Sequence, residues 1–146
     1  MGYQAIARAL LAVFCGAQGL ATALIDLNRT HATHPGWLGH ARFHVVWQTA
    51  NLAALSILEI ALILVQGPAM TERFYLAAVL AGAPILGFFV ALLTRKLYRG
   101  TLSDPLGIPP WIVKIRHKQL QIDLNVVAEL VGLLSLVAIV AIYRAA

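Results

Sequence analysis

Residues 26–51 read DLNRTHATHPGWLGHARFHVVWQTAN and carry the chain from one apolar segment into the next. Four of the five histidines fall here, His31, His34, His40 and His44, beside Asp26, Asn28, Arg42, Trp37 and Trp47, in a chain of which only 12% is charged. Ionisable groups next to a bilayer are costly unless they are paired, solvated or used. So dense a polar segment between apolar runs is expected to hold the working chemistry at a membrane surface.

Outward from this stretch the composition decides the class. The 146 residues are 60% hydrophobic with a mean hydropathy of +0.80, against an apolar share of roughly 45–50% in soluble domains. A membrane-crossing helix needs about 20 mostly apolar residues. Four such windows occur, at about residues 5–27, 40–65, 74–94 and 123–143. The expectation is one all-α domain, a bundle of four transmembrane helices.

The first window contains one amide, Gln18, and the only cysteine, Cys15. A single cysteine excludes an intrachain disulfide and CxxC chemistry, and Cys15 reads as a small buried apolar residue. Arg8 before an apolar run could mimic a secretory signal, but the segment is read as a retained helix. The second window stops before Gly67 and Pro68, which punctuate a turn. The third holds Gly82-Ala83-Pro84; proline there predicts a kink, and Ala77, Ala78, Gly82 and Ala83 suit the close approach of a neighbour.

Two polar stripes stand out. At about 100° per residue, His40, His44, Trp47, Gln48, Asn51 and Glu59 fall within one third of the second helix's circumference. His117, Gln121, Asn125 and Glu129 recur at four-residue spacing near the fourth window. Lipid satisfies no such groups, so both stripes are expected to face the bundle interior or a wet cavity. Interhelical hydrogen bonding is the plainer use of the same residues. Glu59 and Glu129 are expected to face inward at different levels, with Glu129 nearer the bilayer midplane.

Residues 97–120 form the longest connection. Pro105, Pro109 and Pro110 forbid a helix continuing from the third window. Pro110 could instead open an interfacial helix, with Trp111, Ile112 and Ile115 in the membrane and Lys114, Arg116 and Lys118 in water. Eight basic residues lie on the side of this connection and the histidine segment, against Arg8, Arg73 and Arg144 on the other. The positive-inside rule then puts both termini outside and the histidine-rich segment and residues 97–120 in the cytoplasm of a cell-membrane protein. The net charge of +5 fits anionic lipid headgroups, and no nucleic-acid signature accompanies it.

This topology collects Asp26, His40, His44 and His117 at one membrane face. Asp26 ends a helix, where the dipole disfavours a negative charge, so it calls for a cationic or metal partner: Arg29, Arg42 or a histidine. Asp123 is placed to cap the fourth helix. Two imidazoles four residues apart plus a carboxylate suit one divalent metal ion, zinc or iron, held by His40, His44 and Asp26 with His117 or His31 added. Interfacial histidines bonded to headgroups or backbone are the structural alternative. His44, one turn deeper than His40, is expected to matter most, and His31 and His34 least.

The string HARFHVVWQ following DLNRTH, in a chain with four spans, resembles a group of small bacterial four-helix membrane proteins similar in size and layout to DoxX-like proteins. That resemblance implies a compact bundle and carries no activity to these residues. The arrangement is similar, more loosely, to four-helix sterol-isomerase relatives, and that likeness implies intramembrane His and Glu groups moving protons on an apolar ligand; His44, Glu59 and Glu129 would take those parts. Membrane di-iron hydroxylases also carry HxxxH, but that family's pattern implies about eight histidines and this chain has five.

Three function classes stay open. The first is an enzyme acting on a lipid or isoprenoid, by acid–base groups or one metal, with His44, Glu129 and Glu59 catalytic and Gln48, Asn51, Asn125, Trp47 and Arg42 holding ligand. The second is a non-catalytic ligand-binding protein or a partner subunit of a membrane complex. The third, a proton or solute path, needs a homo-oligomer, since four helices leave little room for a pore.

Overall fold

The structure is a computed structural model and describes residues 2–103, 106–116 and 118–145. Its order is α1 (Tyr3–Asp26), α2 (Gly39–Leu64), α3 (Met70–Thr94), β1 (Trp111–Ile115), β2 (Lys118–Ile122) and α4 (Leu124–Arg144). All four helices are long and apolar enough to cross a membrane. The chain is a multi-pass membrane protein with an all-helical body, and the two strands are a minor addition.

The helices form a ring in which α1 packs on α2 and α4, α3 packs on the same two, and the diagonal pair α1 and α3 scarcely meet. Neighbours run antiparallel. Along α1, Gly19 faces Ser56, Gly16 faces Ile60, and the Arg8 guanidinium donates to the Ile63 carbonyl, so α2 ascends as α1 descends. Arg8 thereby meets the carbonyl-rich end of α2 and the Met70 sulfur, which satisfies a cation close to the membrane. One face of the bundle gathers Asp26, His31 and Asn125, and the other gathers the termini.

Close packing depends on small residues. A Cβ on Gly19 would fall 2.5 Å from Ser56 Oγ, so α1 and α2 touch there because glycine leaves room. On α3, Ala77, Ala78 and Ala81 are buried, as expected of a helix that admits neighbours, although Ala83 is exposed. The core continues through Leu11, Cys15, Ile63, Phe74, Leu136 and Ile139 to Tyr143. Tyr143 stacks on Phe74 at 3.7 Å and donates to Thr71 Oγ1 at 3.1 Å, which ties α4 to the start of α3. Gln18 donates to the Ala81 carbonyl at 3.3 Å, one turn before Pro84, so the intramembrane amide has a partner. As expected, Asp123 caps α4, accepting from Asn125 N at 2.9 Å and Val126 N at 3.3 Å.

The expected interfacial helix after Pro110 is instead a hairpin, with Trp111 opposite Ile122 and Ile115 opposite Lys118. The reason is period-two patterning with β-branched residues: WIVKI and KQLQI put Trp111, Val113, Ile115, Leu120 and Ile122 on one side, with Lys118 at its end, and Ile112, Lys114, Gln119 and Gln121 on the other. Its residues are largely exposed, so the segment remains two-faced, as a strand pair rather than a helix. Because Gln121 lies in β2 and α4 begins at Leu124, the second expected stripe does not lie on one helix. Only Asn125 and Glu129 share an α4 face, and His117 lies outside the described residues.

Candidate functional site

At the end of α1 the sequence DLNRTH folds as an Asx turn. The Asn28 carbonyl oxygen of the side chain accepts from Thr30 N at 2.8 Å and Thr30 Oγ1 at 2.7 Å, while its amide donates to the Leu24 carbonyl at 2.8 Å. Asparagine suits this role because its short side chain mimics a backbone turn. The turn sends the chain back over its own helix end, where Ala32 N donates to the Asp26 carbonyl at 2.9 Å. His31 is thereby returned to Asp26, Nδ1 to Oδ1 at 3.8 Å, with Thr30 Oγ1 2.8 Å from the same ring nitrogen. The histidine is the partner that Asp26 finds, rather than Arg29 or Arg42.

Trp37 completes the cluster. His31 meets its ring edge-on at 5.6 Å, and His34 stacks on it at 5.1 Å. His34 is 2% exposed and accepts from Gly36 N at 3.1 Å through Nδ1. These two histidines, expected to matter least, are therefore the ones built into the fold. On the α2 side Thr49, also buried, places Oγ1 3.4 Å from Asp26 Oδ2. Among the described residues the Arg42 side chain reaches only the Pro35 carbonyl, at 3.5 Å.

A cavity of about 310 Å³ opens beside this cluster, bounded by Thr30, His31 and Trp37 from the α1–α2 connection, Thr101 and Ser103 from the α3–β1 connection, and Asn125 from α4. A second hollow of about 200 Å³ continues from it along α3. Thr101, Leu102 and Asn125 belong to both, and Phe88, Ala91, Leu92 and Tyr98 make the second mainly apolar, with Arg95 at its side. Hydroxyls, an amide and an imidazole thus stand at one end, and the other end is richer in apolar side chains, with Arg95 and Tyr98 among them.

The other expected site residues lie elsewhere. His40 and His44 touch each other, Nε2 to Nε2 at 3.1 Å, and both are exposed on the outside of α2 with Trp47, Gln48 and Asn51. The inward orientation expected for this stripe is thus reversed for all but Glu59. The buried face of α2 is formed by Thr49, Ser56, Glu59 and Ile63, which takes up the α1 contact and turns the histidines away. Asp26 is engaged with His31 and Thr49, and no three His, Cys, Asp or Glu side chains among the described residues group as a metal site. His40 and His44 supply two imidazoles without the expected carboxylate.

Glu59 is fully buried, with neither carboxyl oxygen making a hydrogen bond among the described residues; the Cys15 thiol is beside it. Glu129 is half-buried. With α4 starting at Leu124, Glu129 sits only about 8 Å into its helix, and Glu59 about as far from the opposite end of α2. They occupy different levels, as expected, and Glu129 is about 8 Å from the middle of α4 where Glu59 is about 11 Å from the middle of α2. Of the expected ligand-binding residues, Asn125 alone lines the cavity. Thr30, Thr101 and Ser103 were not among the expected residues, and His31, expected only as an added ligand, lines the cavity; the Asn28–Thr30 turn signal was the one cue that could have placed it over Asp26.

No family model, curated protein or solved structure matches this chain.

Proposed function

We propose that this membrane protein binds the polar end of an amphiphile, a lipid or isoprenoid, in the cavity between the α1–α2 connection, the α3–β1 connection and the start of α4. The observation that carries this reading is that the two hollows adjoin, with Thr101, Leu102 and Asn125 lining both. A ligand with a hydrogen-bonding head and an apolar tail matches a site that is polar at one end and apolar at the other. Thr30, Ser103 and Asn125 would hold the head, and Phe88 and Leu92 the first part of the tail. Arg95 and His31 favour a head that carries negative charge.

The second reading is an enzyme working on the same ligand, and the contact favouring it is Asp26 with His31. The Thr30 hydroxyl, 2.8 Å from His31 Nδ1, orients the ring, the Asp26 carboxylate stands 3.8 Å from the same nitrogen, and the other nitrogen is left to exchange a proton with a ligand. His31, rather than His44, is then the proton carrier. The basic-residue asymmetry supports a cell-membrane location with this site at the cytoplasmic face and both termini outside.

Mass spectrometry of small molecules retained by protein purified in mild detergent tests the first reading. A defined amphiphile should accompany the wild type and be lost from Asn125→Leu; retention by both proteins, or by neither, contradicts it. His31→Gln separates the second reading from the first. If the amphiphile is merely bound, that variant carries less of the same molecule, and if it is processed, the cells accumulate its unreacted form.

A further inference from the structure

The amide-bearing outer face of α2 is chemically out of place against lipid. Gln48 and Asn51 are exposed, and neither side chain makes a hydrogen bond among the described residues. Asn51 lies about 18 Å along a helix of about 39 Å, at its middle. Elsewhere among the described residues, exposed amide, hydroxyl or ionisable side chains of the spanning helices stay within two turns of a helix end. The outer faces of α1, α3 and α4 carry residues such as Val13, Leu86 and Val137 instead. Hydrocarbon offers these two amides no partner.

We propose that this face of α2 is the seam of a parallel homodimer. Copies inserted in the same direction can be related by a twofold axis along the membrane normal, and such an axis brings each seam residue to its own counterpart at equal depth. The residue types suit that condition. An amide both donates and accepts, so Asn51 can pair with Asn51 of the second copy and Gln48 with Gln48. Carboxylates or guanidinium groups facing their own copies would repel, and none is on this face. Below Asn51 the seam continues through Ala54 and Leu58, both exposed, a small residue followed by a large one. Amide pairs of this kind hold transmembrane helices together where apolar burial gives no drive.

The inference does not depend on the amphiphile reading, because Gln48 and Asn51 do not line the cavity. Leu58 is 51% exposed on the seam and Val13 is 70% exposed on the outside of α1, whereas Cys15 is fully buried and does not compete as a thiol. In native membranes under a mild oxidant, Leu58→Cys should give disulfide-linked dimers and Val13→Cys should not. Adding Gln48→Leu and Asn51→Leu should weaken dimerisation about tenfold; leucine suits lipid, so failed insertion does not explain such a loss. Step counting of single labelled wild-type particles in lipid nanodiscs should show two fluorophores. One fluorophore per particle, equal cross-linking at Val13→Cys, or cross-linking that ignores the leucine pair overturns the seam.

Discussion

Thr49 Oγ1 lies 3.4 Å from Asp26 Oδ2 and 2.8 Å from the Val45 carbonyl. A hydroxyl has one proton, and the shorter contact with the helix backbone takes it. Asp26 therefore depends chiefly on His31, at 3.8 Å, for charge compensation. A contact this long and nearly a third exposed contributes up to about 1 kcal/mol. Thr49→Val should lower thermal stability by about that amount or less and leave the retained amphiphile unchanged. Asp26→Asn should be equally mild in stability but reduce retention several-fold, since the amide no longer sets a carboxylate beside His31 at the cavity wall. A thermal melt and ligand recovery on the same samples separate the two effects.

The contact of Gly19 with Ser56 predicts a paired rescue. Gly19→Ala places a methyl against Ser56 Oγ and Cβ, at 2.5 and 2.8 Å, and should destabilise the protein by about 1–3 kcal/mol through overpacking. Ser56→Gly removes both atoms. The double variant should recover most of the loss in a denaturant or thermal titration; strict additivity of the two changes would show that the helices do not meet there.

The eight-to-three distribution of basic residues predicts that a reporter fused after residue 146 behaves as exported, while one inserted in the α1–α2 connection behaves as cytoplasmic. The reverse pattern, with the protein folded, would move the cavity to the opposite leaflet.

The fold was legible where one physical term dominates. Apolar windows place four helices, because length and hydropathy decide what crosses a bilayer, and Asp123 declares the start of α4, because a capping carboxylate acts locally. The direction of the α2 stripe was not legible. Periodicity tells which residues share a face and is silent about which neighbour that face meets; the decision belonged to Thr49, Ser56 and Glu59 on α2 and to Gly19 on α1, a contact between two segments. The hairpin was missed for a different reason. Proline at 110 and basic residues at 114, 116 and 118 fit an interfacial helix, but alternation in WIVKI and KQLQI fits paired strands better. Within the site, Asp26 was recognised as a carboxylate in need of a partner, and the Asx turn that brings His31 back to it went unread.

The central claim is that the joined hollows hold a specific amphiphile, and Leu102, which borders both, reports on it directly. A photoreactive amino acid at position 102, activated in intact membranes and analysed by mass spectrometry of the adduct, makes the measurement. The same group at Leu93, 81% exposed on the outside of α3, samples bulk lipid. The account predicts one dominant amphiphile adduct at position 102, distinct from the mixture at position 93 and lost on Asn125→Leu. The same lipid mixture at both positions, or water alone at position 102, would contradict it.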